Sequence, residues 1–110
     1  MLIVNTETVP GLRITQVRGL AQGSTVRAKN VGRDIGASFK SLVGGELRGY
    51  TEMMTEARNE ALERLSAHAT SLGANAVVNV RFTTADIAGG AAEILAYGTA
   101  VIVDQAPAGG

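Results

Sequence analysis

The sequence predicts an α+β chain in which a small antiparallel sheet packs on two helices, and three observations carry that expectation. Leu12 to Ala28, Ala76 to Thr84 and Glu93 to Val103 are rich in Val, Ile and Thr and read as strands. Val31 to Leu42 and Tyr50 to Leu72 repeat apolar residues at helical spacing. A chain of 110 residues with 45% hydrophobic and 4% aromatic content fits one core, so a single domain is expected over residues 1–105.

Taken in order, Val9-Pro10-Gly11 is a turn signal, and the stretch that follows is a strand or a hairpin pair in which Gly19 and Gly23 mark a bulge or bend. Asn30 has the chemistry of an N-cap, and Val31, Ile35, Phe39 and Leu42 make a helix of about three turns that Gly44-Gly45 stops. The second helix is the clearest element. Tyr50, Met54, Ala57, Ala61, Leu65, His68 and Leu72 fall on one arc, Glu52, Glu56, Glu60 and Glu63 on another, and Gly73 stands ready as the residue that ends it. The two later strands are separated by Asp86-Ile87-Ala88-Gly89-Gly90, whose glycines permit a loose hairpin turn.

The last strand carries the most information. Ile94, Ala96, Gly98, Ala100 and Ile102 alternate with Leu95, Tyr97, Thr99, Val101 and Val103, so both of its faces are apolar. Helices on one side of a single sheet leave the other side wet, and an apolar face of that size is an aggregation hazard unless another subunit covers it. A homo-oligomer is therefore expected. The tail Ala106-Pro107-Ala108-Gly109-Gly110 has nothing to pack with and is expected to be disordered.

Composition narrows the function classes. Ten basic and ten acidic residues give no net charge and no field to gather phosphates, so nucleic acid is not an expected partner. The balance hides a division, because Met1 to Arg48 holds seven basic against three acidic residues and the remainder three against seven. The absence of cysteine removes disulfides, thiolate metal sites and a thiol nucleophile. Met1 to Glu7 lacks a basic leader or an apolar stretch of signal length, and no window approaches the ~20 apolar residues of a membrane helix. A cytoplasmic location without membrane partners is expected.

No catalytic, metal-ligating or cofactor-binding residue stands out. His68, the one histidine, lies inside the apolar arc, where packing or an interface explains it. His68-Ala69-Thr70-Ser71-Leu72 is no His-Glu-x-x-His pattern, and the glutamate row reads as a solvated face. Gly32-Arg33-Asp34-Ile35-Gly36 has neither the phosphate-loop spacing nor a following Lys-Ser/Thr. No serine sits in a Gly-x-Ser-x-Gly elbow, and only Phe82 beside Arg81, with Tyr97, approaches a base-stacking arrangement.

Gly32-Arg33-Asp34-Ile35-Gly36, then Val43-Gly44-Gly45-Glu46-Leu47 through Tyr50-Thr51-Glu52-Met53 and Ala57-Arg58, then Leu72-Gly73-Ala74-Asn75-Ala76-Val77-Val78 and Ala96-Tyr97-Gly98-Thr99-Ala100-Val101 follow one another in a distinctive order. With these motifs the chain resembles the YbjQ-like family, small prokaryotic proteins of unknown function that carry a heavy-metal-binding label, from about Ile3 to Asp104. The resemblance implies a subunit similar to that of dodecin, assembled into a ring with a pentamer as the expected stoichiometry. It implies no catalytic residues, and no metal site is carried over with it. The Gly-Gly-Glu-Leu segment and Tyr97-Gly98-Thr99-Ala100 are the places where the resemblance suggests a pocket.

Two function classes follow from this reading. One is a non-enzymatic homo-oligomer that holds a small ligand or a protein partner between subunits. The other is an assembly that binds divalent or heavy metal through Glu46, His68 or the acidic helix face repeated by symmetry. A pocket gathering Glu46, Tyr50 and His68 would instead point toward an enzyme.

Overall fold

A computed structural model describes residues 1–28, 47–87 and 91–107. The elements are β1 (Leu2–Ile3), β2 (Leu12–Ala28), α1 (Leu47–Ser71), β3 (Ala76–Ile87) and β4 (Ala91–Gln105). The four strands form one sheet in the order β1-β3-β4-β2. The helix packs chiefly on β2 and next on β4.

The sheet is mixed, where the sequence predicted an antiparallel one. β1 pairs parallel to β3, with Leu2 opposite Ala76 and Ile3 opposite Val77. Two residues are too few to show the alternation by which a strand announces itself, so only the open edge of β3 makes this segment a strand. The first expected helix, from Asn30 to Gly44, and the hairpin glycines Gly89 and Gly90 lie outside the described residues, so α1 is the one helix described.

β2 is one continuous strand of 17 residues, and the hairpin alternative is set aside. It runs antiparallel to β4 from Leu12 opposite Gln105 to Ala28 opposite Ala91. Its register shifts between Ile14 and Gln16 and again between Val17 and Gly19. Gly19 takes φ +126°, a conformation that L side chains rarely adopt, which accounts for a glycine at the second bulge.

Gly23 has a different purpose. A Cβ placed there would stand 2.7 Å from the main-chain carbon of Arg64 and closer still to the Leu65 nitrogen and the Ala61 oxygen. The helix backbone thus rests directly on the strand backbone. Small residues make this approach possible, because Ala57, Ala61, Leu65 and Ala69 recur every four positions and all are fully buried. Met54 and Leu72 extend the stripe at its two ends. Full burial of Leu65, the one large member, contributes about 2 kcal/mol.

The helix closes as the glycine signal predicted. Gly73 adopts φ +80°, its N–H bonds to the Thr70 carbonyl, and the Ala74 N–H reaches the Ala69 carbonyl, a Schellman ending. Arg18 of β2 adds a bond from Nε to the Leu72 carbonyl at 2.7 Å. Two residues on, the Asn75 side chain donates to the Val103 carbonyl at 3.0 Å and accepts from the Val103 N–H at 2.8 Å. This side chain stands in for a strand residue and sets where β3 begins beside β4.

Residues paired across neighbouring strands share a face. Ala21, Gly23 and Thr25 of β2 therefore lie with Ile94, Ala96 and Gly98 of β4 beneath α1. Thr25 is buried there, and its hydroxyl has no hydrogen-bond partner among the described residues. The other face carries Leu95, Tyr97, Thr99, Val101 and Val103 beside Val26, Leu20, Val17 and Ile14. Val4 and Val103 close over Ala76, Val78 and Val101 at one end of it. Beyond them it lies open, with Val17 at 69%, Leu20 at 62% and Val26 at 53% exposure. Both faces of β4 are thus apolar, and among the described residues only one is covered.

The Cα trace measures 62 × 26 × 16 Å with a radius of gyration of 18.1 Å, where a compact domain of this length has about 13 Å. At the C-terminal end, the Ala106 N–H donates to the Gly11 carbonyl, which ties the start of the tail to the foot of β2. Residues 108–110 lie outside the described residues.

The contact at Gly23 sets a stability expectation. Gly23→Ala should cost about 3 kcal/mol or more in urea unfolding, because backbone atoms on both sides must move. Gly11→Ala, at φ +81° with open space around it, should cost only about 1–2 kcal/mol. Equal costs at the two positions would remove the close approach as the reason for Gly23.

Candidate functional site

His68 lies on the expected arc of α1 and has a structural partner. Its Nδ1 accepts the main-chain N–H of Gln22 at 3.0 Å. β2 is the last strand of the sheet, and Gln22 and Ser24 turn their main-chain groups toward its outer edge. Arg64, one helical turn before His68, donates Nη1 to the Ser24 carbonyl at 2.6 Å. Two helix side chains therefore satisfy edge groups that would otherwise invite another strand. Tyr50 falls in the first turn of α1 and Glu46 lies outside the described residues, so the Glu46, Tyr50 and His68 grouping is not brought together among the described residues.

The acidic helix face is also more than solvated surface at one position. Glu60 accepts from Arg27 Nη2 at 2.7 Å through one oxygen and holds Arg64 through the other. Arg27 belongs to the basic half of the sequence and Glu60 to the acidic half, so their complementarity is realised within the chain here. The Arg27 hydrogen bond is the main cause that holds the Glu60 carboxyl below its usual 4.5; burial opposes it, and the charges of Arg64 and Arg27 reinforce it. Glu52, Glu56 and Glu63 stay exposed.

The second feature is a groove of about 630 Å³ at the outer edge of β3, lined by Ile3, Val4, Asn5, Thr6, Leu62, Val80, Arg81 and Phe82. It exists because of a local irregularity. The β3–β4 register shifts between Val78 and Arg81, and Asn79 inside the shift has φ +55°. Asparagine is among the few residues that tolerate this conformation. The segment after β1 locks onto the bulge, with Asn79 N–H bonded to the Thr6 carbonyl and Val80 N–H to the Val4 carbonyl, each at 3.0 Å. Opposite, Gly98 leaves room for Val77 and Val80, whose methyl groups a Cβ would meet at 2.8 and 3.0 Å.

The bulge aims Arg81 along the edge. Its Nη1 donates to the Asn5 carbonyl at 2.8 Å and to the Val80 carbonyl at 3.0 Å. Among the described residues, Nε and Nη2 have no partner and no carboxylate pairs with this guanidinium. Phe82 pairs with Ala96 and so lies on the helix side, 43% exposed, whereas Arg81 pairs with Tyr97. The interleaved stacking arrangement weighed for Arg81, Phe82 and Tyr97 does not form on one face. Sequence reading passed over this groove; its one signal was Asn79, a turn-prone residue inside a β-branched run.

The segments singled out by resemblance are largely explained by the fold. Gly98 and Ala100 are packing positions, with Ala100 fully buried, while Tyr97 and Thr99 belong to the open face. Gly44, Gly45 and Glu46 lie outside the described residues. Among the described residues there is no group of three or more His, Cys, Asp or Glu side chains able to hold a metal ion, and no helix long and apolar enough to cross a membrane.

Comparisons with known proteins agree with the resemblance. A family model described as "Putative heavy-metal-binding" matches residues 1–104. A "UPF0145 protein" of Hahella chejuensis is 60% identical over 104 residues, covering 94% of this chain and 100% of its own. Another, of Clostridium perfringens, is 57% identical over 106 residues, 96% and 100% of the two chains. One from the archaeon Thermococcus kodakarensis is 54% identical over 105 residues, 96% and 93%. Among solved structures, a protein of unknown function of the DUF74 family from Pediococcus pentosaceus has a TM-score of 0.61 at 16% identity, over 94% of this chain and 98% of that one, and so shares the fold.

The Glu60 cluster generates a pH expectation. A carboxyl held lower in the folded chain than in the unfolded one adds stability above pH 4.5, and that addition fades as pH falls through the lowered value. Glu60→Gln should therefore flatten the stability-against-pH curve below pH 4.5 while lowering stability near neutrality. Urea unfolding across that range reads the difference, and parallel curves for the two proteins would contradict it.

Proposed function

Because this chain belongs to the YbjQ-like family, we propose that it works as a non-enzymatic homo-oligomer, a ring whose neighbouring subunits cover one another's bare sheet face and hold a small ligand or protein partner between them. The observation that carries this reading is the apolar face of β2 and β4 opposite α1. Val17, Leu20 and Val26 lie more than half exposed there, beside Tyr97 and Thr99. Exposed apolar patches of this kind mark association surfaces in stable proteins. The elongated trace supports it too, since a thin subunit buries too little surface alone and more in company. A ring of five is the arrangement that the family resemblance implies.

The heavy-metal description is a poor fit to these residues. A soft metal calls for thiolate or several imidazoles, and the chain has no cysteine and one histidine. That histidine already uses Nδ1 on the Gln22 amide, and no acidic partner stands with it among the described residues. The non-enzymatic reading rests on the same shortage of convergent reactive groups among the described residues.

Charge placed at the centre of the open face tests the assembly. Leu20→Lys and Val17→Lys should each weaken association at least tenfold, seen as a shift of the sedimentation coefficient toward the monomer, with the circular dichroism spectrum unchanged. Asn59→Lys, an exposed position on α1 away from the patch, serves as the control. Folded Leu20→Lys and Val17→Lys proteins that sediment as the wild type does would place the contact elsewhere.

A further inference from the structure

We propose that the groove at the outer edge of β3 is a binding site for a small monocarboxylate with a short apolar body, held by Arg81. The lining residues all belong to one subunit, so the site does not require the proposed assembly. Three features point to such a ligand.

The first is the state of the guanidinium. Two main-chain carbonyls, those of Asn5 and Val80, fix it through Nη1 alone. Nε and Nη2 are left over, and no carboxylate of the described residues neutralises the charge. An arginine anchored by one nitrogen loses less freedom on taking an anion, and its remaining donors match the planar geometry of a carboxylate. The Asn5 side-chain amide, which also has no partner among the described residues, stands at the same rim as a further donor.

The second is the floor. Ile3, Leu62, Val80 and Phe82 line, as an apolar surface, the helix side of the groove that Arg81 joins from the β3 edge, where its Nη1 reaches the Asn5 and Val80 carbonyls. Inorganic anions gain nothing from that surface, and neutral apolar molecules gain nothing from the guanidinium; a carboxylate bearing an aromatic or branched group uses both. The third is the construction of the edge. Asn79 in the left-handed region, the break in register and the two bonds to the Val4 and Thr6 carbonyls together shape the edge along which Arg81 reaches the Asn5 carbonyl. Bulges of this kind re-aim side chains beside functional sites.

Benzoate is the probe, with benzyl alcohol as its uncharged counterpart, each titrated calorimetrically into the untagged full-length protein. Saturable benzoate uptake at one equivalent per subunit is expected, with benzyl alcohol at least tenfold weaker. Arg81→Gln should weaken benzoate at least tenfold. Should Arg81→Gln fail to fold, Asn5→Asp tests the same point, because the anchoring bond goes to the Asn5 main-chain carbonyl and the added carboxylate competes for the guanidinium. Asn5→Asp should likewise weaken benzoate at least tenfold. No saturable uptake, equal uptake of both probes, or a folded variant that binds like the wild type would each overturn the proposal. Sedimentation of the same samples reports the assembly separately.

Discussion

At Gly23 the backbone of α1 lies directly on the backbone of β2, and the arrangement of the subunit depends on that contact. A helix can approach a sheet this closely only where neither side carries bulk, so the strand supplies a glycine and the helix a row of alanines around Leu65. Once seated there, the helix also reaches past the strand. Arg64 and His68 occupy the main-chain groups on the outer edge of β2, Arg18 returns from the strand to the last helical carbonyl, and Arg27 joins Glu60. One helix thereby covers one sheet face and seals one sheet edge. It leaves the opposite face open and does not reach over the β3 edge beyond the N-terminal segment, and among the described residues these are the surfaces on which the two proposals rest.

The two surfaces differ in chemistry. The open face is broad and largely apolar, with Glu93 beside Val26 and Arg81 beside Tyr97 at its margins, which suits a second copy of the same chain. The β3 edge is narrow and carries an anchored cation over an apolar floor, which suits a small anion. Neither needs the histidine, which the edge of β2 already uses, nor the row of exposed glutamates. The motifs that identify the family are in good part structural: Gly73 ends the helix, Asn75 substitutes for a strand residue beside Val103, and Gly98 makes room for Val77 and Val80.

What could be read from residues alone follows from how regular each element is. The apolar arc of α1, its glycine stop and the two-faced character of β4 are periodic signals, and all of them reappear in the structure. β1 is too short to have a period, so the parallel pair at the edge, and with it the mixed sheet, had no local signature. Gly23 looked like a bend because a glycine in a strand is equally compatible with a bulge or with a close neighbour, and only the position of Leu65 decides between them. Arg81 was legible merely as a charge beside Phe82. Its setting depends on a bulge opposite Gly98 of β4 and on a segment near the N-terminus, contacts that no short window contains.

The account stands or falls on whether the open face of β2 and β4 is covered by another copy of the chain. Native mass spectrometry of the untagged protein measures this most directly, because it counts subunits without disturbing them. The expected result is a single assembly at an integer multiple of the 11.3 kDa subunit mass. A sole species at 11.3 kDa, stable at micromolar concentration, would contradict it.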